Sequence, residues 1–192
     1  VFQQPTLLPW RAVRDNIALP LEMMKLPSAD IQARTTDLLE LVGLVGFEQE
    51  YPIHLSGGMA QRTALARALA QNPEVLLLDE PFGALDALTR ERMAAELLRI
   101  WERDKRTVLM VTHSVEEAAL LADRVVVLSA RPGHVVEIVE VTLPRPRSMA
   151  LLATPELQQI AEHLRKALSG GNGHTVACSI SPSKSRVAPP GG

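Results

Sequence analysis

The sequence predicts an α/β core with a mostly helical subdomain on its N-terminal side. Three observations carry this expectation. Residues 75–78, Val-Leu-Leu-Leu, form an unbroken apolar run long enough for one strand buried on both faces. Two more apolar runs, at 107–112 and 124–128, follow at intervals filled by helical patterns. Residues 5–73 carry helical periodicity instead, so the character of the chain changes near residue 74.

Taken in order, Val1 to Gln4 before Pro5 reads as the end of a strand entering a loop. Asp15 can cap a helix over 16–24, with a weak point at Pro20. Ser28 is the expected N-cap of a helix over 29–42, whose Ile31, Leu38, Leu39 and Val42 share one face and which Gly43 ends. Ser56 can cap a helix over 59–71. After the first strand, Pro81 stops it and Gly83 permits a tight turn. A helix over 89–104 places Met93, Leu97, Leu98 and Trp101 on its apolar side. Ser114 with Glu117 has the capping-box form and opens a helix to Ala122. Residues 135–143 read as an outer strand that Pro144 and Pro146 break, and 155–168 as a terminal helix. The domain division is therefore 1–145 for the main body (5–73 helical, 74–145 α/β), 146–168 for a helical extension, and 169–192 for a disordered tail rich in Gly, Pro and Ser.

The chain has 192 residues, 46% apolar and 22% charged, with a net charge of −2, which suits a globular domain with a real core. No basic excess points to nucleic acid. The single Cys178 excludes an internal disulfide or a zinc cluster, and in a polar tail it has no assigned role. No apolar run reaches the ~18 residues of a membrane span, and no signal peptide is evident.

The chemistry concentrates in a few short stretches. The first strand delivers Asp79 and Glu80 at its carboxyl end, where open α/β sheets bind ligands. An apolar strand ending in Asp-Glu is the Walker B pattern of a nucleotide hydrolase: the Asp can hold Mg²⁺ and the Glu can polarise water. In Leu55-Ser56-Gly57-Gly58-Met59-Ala60-Gln61-Arg62, the two glycines allow close backbone approach, and the following helix N-terminus suits a phosphate.

These stretches together resemble the ATP-binding cassette (ABC) ATPases. Residues 55–62 look like the family's signature motif, 75–80 like its Walker B, and Ala84-Leu85-Asp86 like its D-loop. His113 matches the switch histidine and Gln3 the Q-loop glutamine, all in the family's order. The resemblance implies a P-loop NTPase-like core using ATP and Mg²⁺. By it, Glu80 is the general base or water-positioning group and His113 reaches the γ-phosphate. Asp79 and Gln3 serve the metal, while Ser56, Gly57, Gly58 and Gln61 face nucleotide held by a second ATPase subunit in a head-to-tail dimer. Asp86 links the two sites. His54, His134, His163 and His174 match no motif and read as surface or packing residues.

Thr6-Leu7-Leu8-Pro9-Trp10-Arg11-Ala12-Val13 with Asp15-Asn16-Ile17 is similar to the Q-loop extension of nitrate, sulfonate and taurine importer ATPases. Pro81 to Ala87 with Thr89-Arg90, and Ser129-Ala130-Arg131-Pro132-Gly133 followed by 143–147, fit the same group. That likeness implies a transmembrane permease partner docked near Gln3 to Trp10. It also implies, indirectly, a periplasmic or lipoprotein substrate-binding protein, and a place on the cytoplasmic face of the inner membrane. The sequence departs from the family in carrying no GxxxxGK followed by Ser or Thr, so the expectation is a cassette core lacking its N-terminal Walker A part and inactive alone. A non-transport ABC ATPase and a non-catalytic remnant remain open as other readings.

Overall fold

The computed structural model describes residues 1–103, 105–130, 132–170 and 173–180. Helices α1 (Val13–Met23), α2 (Ser28–Leu41) and α3 (Gly57–Leu69) form the N-terminal helical part. Strand β1 (Val75–Asp79), α4 (Ala87–Arg103), β2 (Thr107–Thr112), α5 (Val115–Leu121), β3 (Arg124–Ser129), β4 (Val135–Glu140), α6 (Pro155–Gly170) and β5 (Gly173–Ile180) follow. The α/β class with a helical subdomain is therefore observed, in element order close to that expected.

Local sequence explains most element ends. Ser56 Oγ accepts from Met59 N at 3.3 Å and starts α3. Ser114 Oγ accepts from Glu117 N at 3.2 Å and starts α5. Gly43 ends α2 at φ 64°, with Leu44 N bonded back to Leu39 O at 2.9 Å, a glycine-closed helix end. Two expected caps differ. Helix α1 begins at Val13, two residues before Asp15, and no side chain caps it. Ser28 lies inside α2, whose N-cap is Pro27. Of the helix expected over 89–104, Asp104 lies outside the described residues, as does Arg131.

The sheet order is β1-β2-β5-β3-β4. Strands β1 and β2 are parallel, while β5 runs antiparallel to both β2 and β3, so β1, β2 and β3 share one direction. Strand β5 corrects the expectation of a disordered tail over 169–192. Residues 173–180 occupy the middle of the sheet, with Val176 and Cys178 fully buried and Ile180 1% exposed. Alternation in Val-Ala-Cys-Ser-Ile supplies the reason: every second residue is apolar and faces the core. Residues 171–172 and 181–192 of that tail lie outside the described residues.

A second correction concerns the strands. Only one face of β1 and β2 is buried, the face carrying Leu76, Leu78, Val108 and Met110. Helices α5 and α6 pack on the sheet. On the opposite face Val75, Leu77 and Leu109 are 50%, 59% and 43% exposed. The register aligns Leu77 with Leu109, so these side chains form a continuous apolar strip. Val1 does not head a strand of its own, yet it bonds to β1 as one would. Its ammonium donates to Leu77 O at 2.6 Å, and its carbonyl accepts from Asp79 N at 2.9 Å.

Candidate functional site

The site forms where β1 and β2 end side by side. Asp79 pairs with Val111 in register, and Glu80 N donates to Val111 O at 2.9 Å, so parallel pairing itself brings Glu80 beside the residues after β2. His113 Nε2 donates to Glu80 Oε1 at 2.6 Å. Glu80 sits at φ 44°, a left-handed conformation that a non-glycine residue adopts at a cost of about 1–3 kcal/mol. Gly83, expected to supply the turn's special conformation, does not. Its N–H closes the turn onto Glu80 O at 3.0 Å with no positive φ. What Gly83 supplies is room: a Cβ there would lie 2.9 Å from Gln3 Nε2 and 3.3 Å from Glu80 Oε2. Gln3, Glu80, Gly83 and His113 line one cavity of about 480 Å³ with Arg90, Thr112, Ser114, Glu116 and Glu117. Asp79 is exposed at the end of β1 and is not among the residues that line this cavity.

The serine-glycine turn is a separate place. Ser56, Gly58, Arg62, Thr89, Arg92, Met93 and Glu96 border a second cavity of about 260 Å³. The glycines are needed for packing as well as for any ligand: a Cβ on Gly57 would meet Leu85 at 3.1 Å, and one on Gly58 would meet Thr89 at 3.1 Å. Asp86 is the cap of α4, accepting from Thr89 N at 3.0 Å, and that bond to the Thr89 side chain and amide holds its carboxyl below the usual range. Gln61 stands apart from the other expected ligand residues. It is 3% exposed, and its Nε2 donates to Phe2 O at 3.4 Å. Farther along the same helix, Arg67 donates to Pro5 O and Thr6 O at 3.1 Å each. Helix α3 thus holds the backbone that carries Gln3.

A family model described as "ABC transporter" matches residues 1–83. An ABC transporter ATP-binding protein of Methanocaldococcus jannaschii is 54% identical over 147 residues, 77% of this chain and 55% of the relative. The taurine import ATP-binding protein TauB of Rhizobium johnstonii is 45% identical over 173 residues, covering 88% of this chain and 66% of the relative. This chain belongs to the ABC transporter ATP-binding family. An aliphatic sulfonates import ATP-binding protein, SsuB of Bacillus cereus, is 45% identical over 159 residues, with 83% and 62% covered. Among solved structures, a dimeric post-hydrolysis ATP-binding cassette bound to ADP and Pi aligns with TM-score 0.60 and 33% identity, over 74% of this chain and 63% of that one. The chain spans between 55% and 66% of the length of these curated relatives.

Against the ABC pattern, the structure brings Gln3, Glu80 and His113 together and sets Ser56 and Gly58 around a second cavity. His54 and His134 pair locally with Glu50 and Ser129, and His163 of α6 pairs with Glu137 of β4, all three exposed as expected of surface residues. Sequence reasoning gave Asn16 only as part of the Asp15-Asn16-Ile17 stretch and no structural role; it is fully buried, donates to Leu8 O, Arg11 O and Ala12 O, and accepts from Leu8 N. It shapes the loop that carries Trp10, which is 70% exposed. Glu117 was noticed only as part of a cap; its burial and its bond to Thr112 gave no signal in the sequence.

Proposed function

We propose that the complete protein is the ATP-hydrolysing subunit of an importer for sulfonate- or taurine-like small anions, nitrate included. The observation that carries this is the Glu80–His113 pair, 2.6 Å apart and walled by Gln3, at the carboxyl end of the sheet. Glu80 acts as the base or orienting group for the attacking water, and its strained backbone fixes the direction of its carboxylate. His113 steadies that carboxylate and offers a proton donor toward a terminal phosphate. Gln3 reaches the same space and can report on its occupancy.

The residues present suit Mg²⁺. That ion keeps several waters and takes one or two carboxylates beside phosphate oxygens, so it needs no dedicated protein cage. Among the described residues no group of three or more His, Cys, Asp or Glu could hold a metal. Asp79, with Gln3, would hold it. When bound, Mg²⁺ neutralises charge on the β- and γ-phosphates of ATP. Ser56, Gly57 and Gly58 offer a helix N-terminus to nucleotide held by a second copy, in a head-to-tail dimer; the relative with ADP and Pi is likewise described as dimeric.

Trp10, Met23 and Met24 are all more than half exposed, and Met23 lines an apolar groove with Phe2, Pro5 and Leu19. This is the surface for a permease helix. A substrate-binding protein would act through that permease. As the relatives named as import ATP-binding proteins suggest, the subunit would sit peripherally on the cytoplasmic face; no helix among the described residues is long and apolar enough to cross a membrane. The test is Glu80→Gln in the full-length protein. Hydrolysis is expected to fall by about 10²–10⁴-fold with ATP binding retained. Unchanged turnover would overturn the role given to Glu80.

A further inference from the structure

His113 is flanked by Thr112 and Ser114, and both are bound into one buried network. Thr112, 4% exposed, donates through Oγ1 to Glu117 Oε2 at 2.6 Å. The same Oγ1 accepts from Ser114 N at 3.0 Å. The other carboxylate oxygen of Glu117 faces Arg90 Nε at 3.8 Å. Arg90 in turn donates from Nη2 to Leu85 O at 3.1 Å, beside Asp86. Arg90 Nε is buried and makes no hydrogen bond, so Glu117 is its counter-charge.

We infer that Glu117 is a positioning residue, coupling the Leu85–Asp86 turn to the backbone on both sides of His113 through Arg90 and Thr112. Burial raises the Glu117 pKa, opposed by the Thr112 bond and the Arg90 charge. A buried carboxylate with so few partners is costly unless both halves of the network are intact. The coupling is chemically specific. Glutamine at 117 removes the charge that faces Arg90, and its NH₂ either confronts Arg90, donor against donor, or turns to Thr112 and reverses that bond. Movement at the Leu85–Asp86 turn, where Gly57 abuts Leu85, would therefore be felt at His113. This inference rests on the proposed hydrolysis at Glu80 and His113, although its first readout does not.

That readout is amide hydrogen exchange in the full-length protein. Arg90→Met leaves the hydrophobic stem of a 40% exposed side chain and does not touch Ser114. It is expected to speed exchange at Ser114 by about tenfold, with exchange in α2 unchanged. Glu117→Gln should speed exchange at both Ser114 and Leu85. If Arg90→Met leaves Ser114 unchanged, no coupling exists and the inference is wrong, whatever the activity. The second readout is kinetic. Glu117→Gln should lower kcat by about tenfold with KM within about twofold. Thr112→Ser, keeping the hydroxyl, should restore what Thr112→Val loses. Loss in Thr112→Ser equal to that in Thr112→Val would also overturn it. Absence of any hydrolysis in the wild type would instead reject the proposed function and leave the exchange result to stand or fall alone.

Discussion

At Gly83 the requirement is steric and local. The atoms that a Cβ would meet are the tips of Gln3 and Glu80, side chains that can swing aside. Gly83→Ala should therefore leave stability within about 0.5 kcal/mol in urea unfolding. It should lower hydrolysis by the full-length protein by about tenfold, because the displaced groups are the ones proposed to act on water and metal. Cys178 is the opposite case, with no partner in the chemistry and full burial in β5. Burial, with Glu117 nearby, pushes its thiol up to about 12 from an ordinary 9.0. The folded state thus holds the proton more tightly than the unfolded chain, and this contribution to stability is complete below pH 9. It is lost as pH rises toward 12, by about 1.4 kcal/mol per pH unit. Denaturation midpoints across that window should show the slope, and Cys178→Ala should remove this component.

The elements obey their local signals where those signals are strong. Ser56→Ala should destabilise α3 by about 1 kcal/mol, read as a shift in the urea midpoint, since the Met59 amide loses its acceptor. Strands β1 and β2 carry their apolar pattern onto an open face, while Leu76, Leu78, Val108 and Met110 are buried on the other. Leu77→Thr with Leu109→Thr keeps strand propensity and removes exposed apolar area. The pair should cut binding of a hydrophobic dye and slow aggregation, with stability changed by no more than about 1 kcal/mol. A larger loss would mean that this face is covered in solution.

On the scale of the whole molecule, β5 holds the sheet together. Strands β2 and β3 have no pairing with each other; both pair with β5. Removing 173–180 would expose two strand edges and delete Val176, Cys178 and Ile180 from the core. Val and Ile each contribute about 1.5–3 kcal/mol when fully buried. Their loss alone is a large share of the ~5–15 kcal/mol that a domain holds. The shortened chain should lose its cooperative thermal transition, measured by circular dichroism.

The fold class, the strand at 75–79 and the two serine caps were legible from sequence, as were Glu80, His113 and Ser56 as candidate site residues, because each depends on residues close together in the chain. Three things were not. The place of β5 depends on pairing with strands some fifty to seventy residues away, and composition alone marked that segment as tail. One-sided burial of β1 depends on which helices land on which face, since an apolar run looks the same in either case. The Arg90–Glu117–Thr112 network and the strained backbone at Glu80 need α4, α5 and two strand ends to meet. Local rules of capping and periodicity set the elements and named the candidate groups of the site; only packing decided what holds those groups in place.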